Sequence, residues 1–161
     1  ITIISSDEQS FQVERDVLKQ SGTIETLIVN MNLEDTENDT APMPIPLPNV
    51  NGQVLQKVLE WCEKHKEDPV REAEEEDSNT EVVIPDWDQT FLGSLEKTPL
   101  LEILIAANYL DIKALLTYAC KAVANMLKGK QIEQIRTEWS LKNEFTPEEE
   151  AAIKKENEWC E

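Results

Sequence analysis

The most apolar part of the chain, residues 99–129, predicts two consecutive helices that must be buried. Seven of the eight residues 100–107 are apolar, so we expect other parts of the chain to cover the first helix on most sides. Thr98 is its predicted N-cap. Apolar residues then recur at three-and-four spacing over residues 112–127, which predicts an amphipathic second helix with Asp111 as its N-cap. These two helices form the predicted core.

Weaker patterns before this core predict a hairpin and several short helices. Trp61 and His65 are predicted to lie at the flank of an apolar helix face that also contains Cys62. The predicted elements are a β-hairpin of residues 1–5 and 10–13, one helical turn at residues 17–18, a helix capped within residues 21–23, a helix starting at residues 51–52 and a short helix starting near Asp86.

Four prolines alternate with apolar residues over residues 42–48. In a strand, alternate residues point their N–H groups to opposite edges, so all four prolines remove donors from the same edge. This pattern predicts either an edge strand or a polyproline segment. An edge strand of this kind also resists pairing with other molecules.

Two acidic segments, residues 32–41 and 67–81, hold eleven of the eighteen net negative charges. Their low apolar content predicts mobile loops. The net charge of -18 argues against binding to nucleic acid or to an anionic membrane surface, and it favours a neutral or basic protein partner. The acidic residues lack the order of a calcium loop, so solvated loops are favoured over weak divalent-cation sites.

Residues suited to catalysis or metal binding are few. The three cysteines are widely spaced, which argues against a disulfide framework or a zinc site and favours a reducing compartment. Cys62 and Cys120 are predicted to be small core residues, whereas Cys160 is predicted to be exposed. His65 is the single histidine, and its charged neighbours predict a solvated helix end. The four glycines lack any phosphate-binding spacing, so we expect no catalytic residue, metal or cofactor.

The end of the chain predicts two further helices with little core of their own. The first covers residues 131–138, and the second starts strongly at Thr146 with a proline and a capping box. Only four side chains are apolar from Pro147 to Trp159. The pattern fits both a surface reserved for a partner and a lightly packed terminal helix, and alone it does not choose between them.

Several strings along the chain resemble one protein family. They are Pro46-Leu47-Pro48-Asn49-Val50, Ile84-Pro85 with Trp87-Asp88-Gln89, Ala106-Ala107-Asn108-Tyr109-Leu110-Asp111-Ile112-Lys113, Val123-Ala124-Asn125-Met126 with Lys128-Gly129-Lys130, Phe145-Thr146-Pro147-Glu148-Glu149-Glu150 and Glu156-Asn157-Glu158-Trp159-Cys160-Glu161. In these strings the chain resembles the S-phase kinase-associated protein (Skp) adaptors of SCF-type ubiquitin ligases. The resemblance covers nearly the whole chain and is most specific in its C-terminal half.

The resemblance implies an α+β fold of the BTB/POZ type over residues 1–128, with a small sheet against a helical core, followed by a helical extension over residues 129–161. It implies a non-enzymatic adaptor of an SCF E3 ubiquitin ligase. Such adaptors bridge a cullin, and through the cullin its RING partner, to F-box proteins whose substrates are ubiquitinated and degraded by the proteasome. The implied location is the cytoplasm and the nucleus. No membrane or nucleic-acid partner is expected.

The resemblance also assigns roles to individual residues. Asn108 and Tyr109 match the cullin-facing positions of the family. The positions that match or approximate its F-box-facing apolar set are Cys120, Val123, Leu127, Ile132, Ile135, Phe145, Ile153 and Trp159. Gln131-Ile132 replaces a usual Thr-Pro helix start, which is a departure from the family pattern. An elongin-C-like adaptor for a different receptor box is the alternative, and the extension after Lys130 argues against it.

Overall fold

A computed structural model describes residues 1–31, 43–70, 83–139 and 146–156. The predicted acidic loop at residues 32–41 and the greater part of the one predicted at residues 67–81, from residue 71 onward, therefore lie outside the described residues. The elements in chain order are β1 (Thr2–Ser5), β2 (Ser10–Gln12), α1 (Arg15–Leu18), α2 (Gly22–Asn30), β3 (Ile45–Leu47), α3 (Gly52–Lys64), α4 (Asp86–Gly93), α5 (Lys97–Tyr109), α6 (Lys113–Leu127), α7 (Ile132–Glu138) and α8 (Pro147–Glu156).

The three described strands form one sheet in the order β2-β1-β3. β1 and β2 form the predicted antiparallel hairpin, with Ile3 opposite Phe11. β3 runs parallel to β1 and lies at the sheet edge, with Ile45 opposite Ile3. Ile45 and Leu47 are buried while Pro46 between them is exposed. The proline-rich segment is therefore an edge strand rather than a polyproline helix.

The core is one apolar cluster that extends from the sheet through α3 and α5 into the first half of α6. Trp61 is 1% exposed, so the prediction that it lies at the flank of α3 is wrong. α5 is covered on most sides, as predicted, but not at Ile105, which is 62% exposed. Leu100, Ile103 and the two alanines at 106 and 107 are the residues that α5 buries. One face of this apolar helix is therefore open.

The cap of α2 within residues 21–23 and the start of α3 at residues 51–52 are as the sequence predicts, and the structure caps both N-termini. The Ser21 hydroxyl accepts a hydrogen bond from the Ile24 N–H, and the Asn51 side chain accepts one from the Val54 N–H. At α3 the Asp7 carboxylate also accepts the Gly52 N–H at 2.7 Å. α5 differs, since it begins at Lys97 after Glu96 and has no side-chain cap, so Thr98 is not its N-cap. Apolar burial rather than capping fixes this start.

The chain divides into two compact units, Ile1–Met126 and Leu127–Glu161. The second unit contains α7 and α8, and neither helix has a buried residue. Both helices carry capping boxes. The Gln131 and Gln134 side chains cap α7 reciprocally, and Thr146 and Glu149 do the same for α8. No helix among the described residues is long and apolar enough to cross a bilayer.

Candidate functional site

The C-terminus of α5 is fixed by the N-terminus of α2. The Ser21 hydroxyl donates to the Leu110 carbonyl at 2.5 Å, and the Thr23 hydroxyl donates to the Tyr109 carbonyl at 2.9 Å. The Gly22 N–H donates to the Asp111 carbonyl at 3.2 Å. The carbonyl groups at the C-terminus of α5 thus accept hydrogen bonds from donors at the N-terminus of α2. Polar groups that each helix end would leave unpaired therefore find partners. The backbone that carries Tyr109 is held in place by these bonds.

Asp111 ends α5 instead of starting α6. Its φ angle is 53°, in the left-handed region, and its N–H donates to the Asn108 carbonyl. The following N–H, of Ile112, donates to the Ala107 carbonyl at 2.9 Å. This pair of bonds is the Schellman arrangement, in which a left-handed residue reverses the chain after a helix. The predicted N-cap role of Asp111 is therefore wrong.

Asn108 and Tyr109, the two cullin-facing candidates, lie in the last turn of α5. Asn108 is exposed and Tyr109 is half-buried against the core. Ile105 precedes them by one helical turn, so it shares their side of the helix. The sequence interpretation missed Ile105 as a surface residue because the run around it is continuously apolar. The structure adds it to this group, which we call the α5 surface (Ile105, Asn108 and Tyr109).

Three of the F-box-facing candidates lie on α6. Their three-and-four spacing places Cys120, Val123 and Leu127 on one side of the helix. Val123 and Leu127 are half-buried, whereas Cys120 is exposed. The prediction that Cys120 is a core residue is therefore wrong. On α6 the described core ends at Ala119, and the apolar side of the helix continues beyond it at the protein surface.

Three further candidates lie on the second unit. Ile132 is 49% exposed and Ile153 is 36% exposed, while Ile135 is half-buried. Phe145 and Trp159 lie outside the described residues. α7 and α8 thus keep apolar side chains in water, which costs free energy unless another surface covers them.

Ion pairs connect α7 and α8. Arg136 lies 3.4 Å from Glu150, and Lys154 lies 3.4 Å from Glu133 and 3.9 Å from Glu150. The pKa of Glu133 is lowered by its own backbone N–H and then by the Lys154 ammonium. The Lys154–Glu133 pair is exposed and contributes little to stability, because water and salt screen it, whereas the Arg136–Glu150 pair is partly buried. The two helices are therefore joined by weak polar contacts.

His65 is enclosed rather than solvated, contrary to the sequence prediction. Its side chain is 12% exposed, and its ring stacks on Trp61 with centroids 4.2 Å apart. Nδ1 lies 2.5 Å from Asp68 Oδ2, and Nε2 lies 3.1 Å from Oδ1 of the fully buried Asp88. Trp61 Nε1 donates to the same Asp88 oxygen. Among the described residues, no group of three histidine, cysteine or acidic side chains could hold a metal ion.

Two family models match two separate regions of the chain, one on each side of the α5 surface. The Skp1 family tetramerisation domain matches residues 1–67, and the Skp1 family dimerisation domain matches residues 113–160. A Skp1-related protein of Caenorhabditis elegans is 48% identical over all of this chain and 91% of its own length. The chain belongs to the Skp1 family.

Two fungal proteins are similarly close. They are proteins of Talaromyces stipitatus and Talaromyces marneffei named E3 ubiquitin ligase complex SCF subunit sconC, 48% and 47% identical over all of this chain and 96% of their own length. The predicted family is confirmed. The match over residues 1–67 is to the POZ model of the family, which confirms the BTB/POZ fold predicted for this small sheet and helical core. The match over residues 113–160 favours the Skp1 family over an elongin-C-like adaptor.

Proposed function

We propose that this Skp1-family chain is the adaptor subunit of an SCF E3 ubiquitin ligase and that it bridges a cullin to F-box substrate receptors. The observation that carries the proposal is the full-length similarity to proteins named as SCF subunits. In this role the chain supplies surfaces and no catalytic group. The α5 surface would bind the cullin, and the apolar candidates of α6, α7 and α8 would bind the F-box.

The geometry of the α5 surface supports the cullin assignment. Ile105 offers an exposed apolar side chain, and Tyr109 offers a rigid ring with a polar tip. The hydrogen bond from Thr23 to the Tyr109 carbonyl fixes the backbone at this point before any partner binds. A surface that is already ordered loses little conformational entropy on binding, so its contacts contribute more fully to affinity.

The cullin assignment is tested by charge introduced at the end of α5. Asn108→Lys combined with Tyr109→Lys should weaken cullin binding by ten-fold or more, because two lysine cations would replace the amide and aromatic groups of the proposed contact. Isothermal titration with a purified cullin N-terminal domain measures this, and an F-box peptide is titrated in parallel. F-box binding should stay unchanged.

A matched control places the same charges elsewhere. Gln89→Lys with Thr90→Lys also puts two lysines on adjacent exposed positions, but on α4. Cullin binding should survive this change. Equal loss of cullin affinity in both double variants, or joint loss of cullin binding, F-box binding and circular dichroism in the α5 variant, would contradict the assignment.

The F-box assignment rests on apolar side chains that remain in water. Ile132 on α7 and Ile153 on α8 are partly exposed, and neither helix buries a residue of its own. Burying such a side chain against a partner contributes about 1 kcal/mol or more to affinity. The same burial contributes little to the folding of the free chain, because these side chains are not part of the core.

Ile132→Ser should therefore weaken F-box binding by about five-fold or more while the melting temperature stays within a degree of wild type. Val29→Ser is the matched control, because Val29 is also 49% exposed but lies on α2. Fluorescence anisotropy with a labelled F-box peptide measures both variants. A melting temperature that falls in step with affinity would show that Ile132 is a structural residue.

A further inference from the structure

The two edges of the sheet differ in their ability to pair with another strand. At one edge, Pro46 lies in the middle of β3, and a proline has no N–H to donate. β2 forms the other edge and contains no proline. Among the strands that the structure describes, β1 is the one neighbour of β2. The β2 edge is therefore the side of the sheet that a further strand can join.

Two residues of β2 direct their backbone groups away from β1. The backbones of Ile1 and Val13 exchange two hydrogen bonds of 2.9 Å, so Val13 faces β1. Because an antiparallel ladder repeats at every second residue, Phe11 faces β1 as well. Ser10 and Gln12 alternate with these residues, so their N–H and C=O groups point outward. Together they offer two donors and two acceptors to an added strand.

A groove of about 630 Å³ follows this edge between β2 and α3. Four consecutive residues, 11–14, line it, which places it along the strand edge rather than over one face of the strand. Its apolar lining consists of Phe11, Val13, Val17 and Leu59, all of which contact the core. Since side chains of a strand alternate between two faces, every second side chain of an added strand would lie over this apolar lining.

The charged side chains beside the groove favour a basic occupant. Glu14, Glu60 and Glu63 line it, with Lys66 as the cation of the lining. Lys66 lies 2.9 Å from Glu63, and Lys57 lies 2.9 Å from Glu60. Glu14 is exposed, and it takes part in none of the ion pairs described for the chain. The pKa of Lys66 is raised by Glu63 first and also by Glu14, so the potential is negative even beside this lysine.

We propose that the β2 edge binds an extended peptide in which apolar residues alternate with lysine or arginine. The peptide backbone pairs with Ser10 and Gln12 and adds a fourth strand to the sheet. Its apolar side chains lie over Val13 and Leu59. Its basic side chains lie on the opposite face of the strand, which is also the face of Glu14. A second copy of this chain fits less well, because two chains of net charge -18 repel each other.

The end-blocked peptide Lys-Val-Lys-Val-Lys tests the proposal on the full chain. Hydrogen exchange measured by NMR at constant ionic strength should slow about five-fold or more at the Gln12 N–H when the peptide is saturating. Exchange at the Val13 N–H should change little, because this group already bonds to Ile1. The peptide Glu-Val-Glu-Val-Glu should give no protection. Equal protection by both peptides, or none by either, would overturn the proposal.

Backbone pairing also predicts an alternating response to N-methylation of the peptide. In an added strand every second N–H points to β2, and the others point to solvent. N-methylation of the valines and N-methylation of the lysines should therefore differ, with one set abolishing the protection of Gln12 and the other preserving it. Equal effects of the two sets would show that side chains alone hold the peptide. Protection of Gln12 that grows with protein concentration in the absence of peptide would identify a second copy as the occupant.

Two matched pairs of variants complete the test, with peptide affinity measured by fluorescence anisotropy. Gln12→Pro removes the outward N–H, which an edge strand tolerates, and should weaken binding about five-fold or more. Gln12→Ala keeps this N–H and should bind as wild type does. Glu14 makes no capping hydrogen bond to α1, so Glu14→Gln should weaken binding about three-fold without loss of a cap. Glu102→Gln, an equal change at an exposed position of α5, should leave binding unchanged.

Thermal melts confirm that each variant folds. Equal affinities within either pair of folded variants would contradict the proposal. Should Gln12→Pro fail to fold, the pair of glutamine variants and the N-methylated peptides decide the outcome.

Discussion

Cys62 is 2% exposed within α3, and burial raises the pKa of its thiol to about 12. Cys120 lies on the apolar side of α6 but is exposed. A thiol reacts as its thiolate, so the buried cysteine is chemically inert at neutral pH and the exposed one is accessible to reagents. The same residue type therefore serves the core in one helix and a candidate partner surface in the other.

Iodoacetamide at pH 7.5 should therefore modify Cys120 at least a hundred-fold faster than Cys62, because the Cys62 thiol is both buried and protonated. Mass spectrometry of tryptic peptides measures the modification of Cys120 and Cys62 separately and distinguishes both from that of Cys160. An F-box peptide should slow the modification of Cys120 if the proposed surface is correct. Rapid modification of Cys62 in the native protein would contradict the burial described here.

Local residue patterns predicted a helix cap within residues 21–23 and a helix start at residues 51–52, because a cap bonds to N–H groups two or three residues away. They could not predict the surroundings of Trp61 and His65. The partner of both side chains is Asp88, which lies 27 residues after Trp61 and 23 after His65. A contact of that separation depends on how helices pack, which residue types and spacing do not determine.

At the scale of elements, the junction of α2 and α5 combines a close approach with an unusual backbone angle. A Cβ atom at Gly22 would lie 2.4 Å from Oδ2 of Asp111, so an alanine at this position has to displace that carboxylate. Asp111 itself adopts a φ of 53°, which glycine tolerates better than aspartate. The two positions are therefore energetically linked.

A double-mutant cycle tests this link. Gly22→Ala alone should destabilise the protein, because the added methyl group would displace the Asp111 side chain. In the background of Asp111→Gly the same substitution should be neutral or stabilising, since alanine favours helix over glycine. We expect a coupling free energy of about 1 kcal/mol, measured by urea unfolding of the four proteins. Additive effects would mean that the side chain at 111 moves aside freely.

A second element-scale prediction concerns α7 and α8. Lys154→Met removes a cation that contacts Glu133 and Glu150, whereas no ion pair is described for its neighbour Lys155. Lys154→Met should lower the helical ¹³Cα shifts of α8 while Lys155→Met leaves them nearly unchanged, and 1 M salt should act like the first variant because it screens the pairs. Equal shifts in both variants would show that the ion pairs do not hold α8.

The pH dependence of the same helices follows from the lowered pKa of Glu133. A carboxyl group whose pKa is lower in the folded state stabilises the fold at pH values above its unfolded-state pKa. This stabilisation is lost as the pH falls through its folded-state pKa. The α8 shifts should therefore stay constant above the ordinary glutamate value of 4.5 and decline below it. The decline should be smaller in Lys154→Met, which already lacks the pair. An identical acid titration in that variant would contradict this role for Glu133.

At the scale of the whole molecule, the sequence predicted which segments form helices and strands, and the family resemblance supplied the roles of their surfaces. Apolar spacing located α3, α5 and α6, but it could not show that Ile105 faces water. A continuous apolar run has no polar face to mark its exposed side. The resemblance implied cullin-facing roles for Asn108 and Tyr109. The structure was needed to add Ile105, which lies one turn before them and is exposed.

The central position of β1 in the sheet also has a consequence for the time course of folding. Ile3 pairs with Phe11, which is eight residues later in the chain, and with Ile45, which is forty-two residues later. Hairpins form within about 1–10 μs, whereas the parallel pairing has to wait for a much longer loop to close. During synthesis one edge of β1 is therefore unpaired until β3 leaves the ribosome. In that interval β1 of a nascent chain can pair wrongly with a strand of a neighbouring chain. In the folded protein β3 covers this edge, so such pairing is prevented.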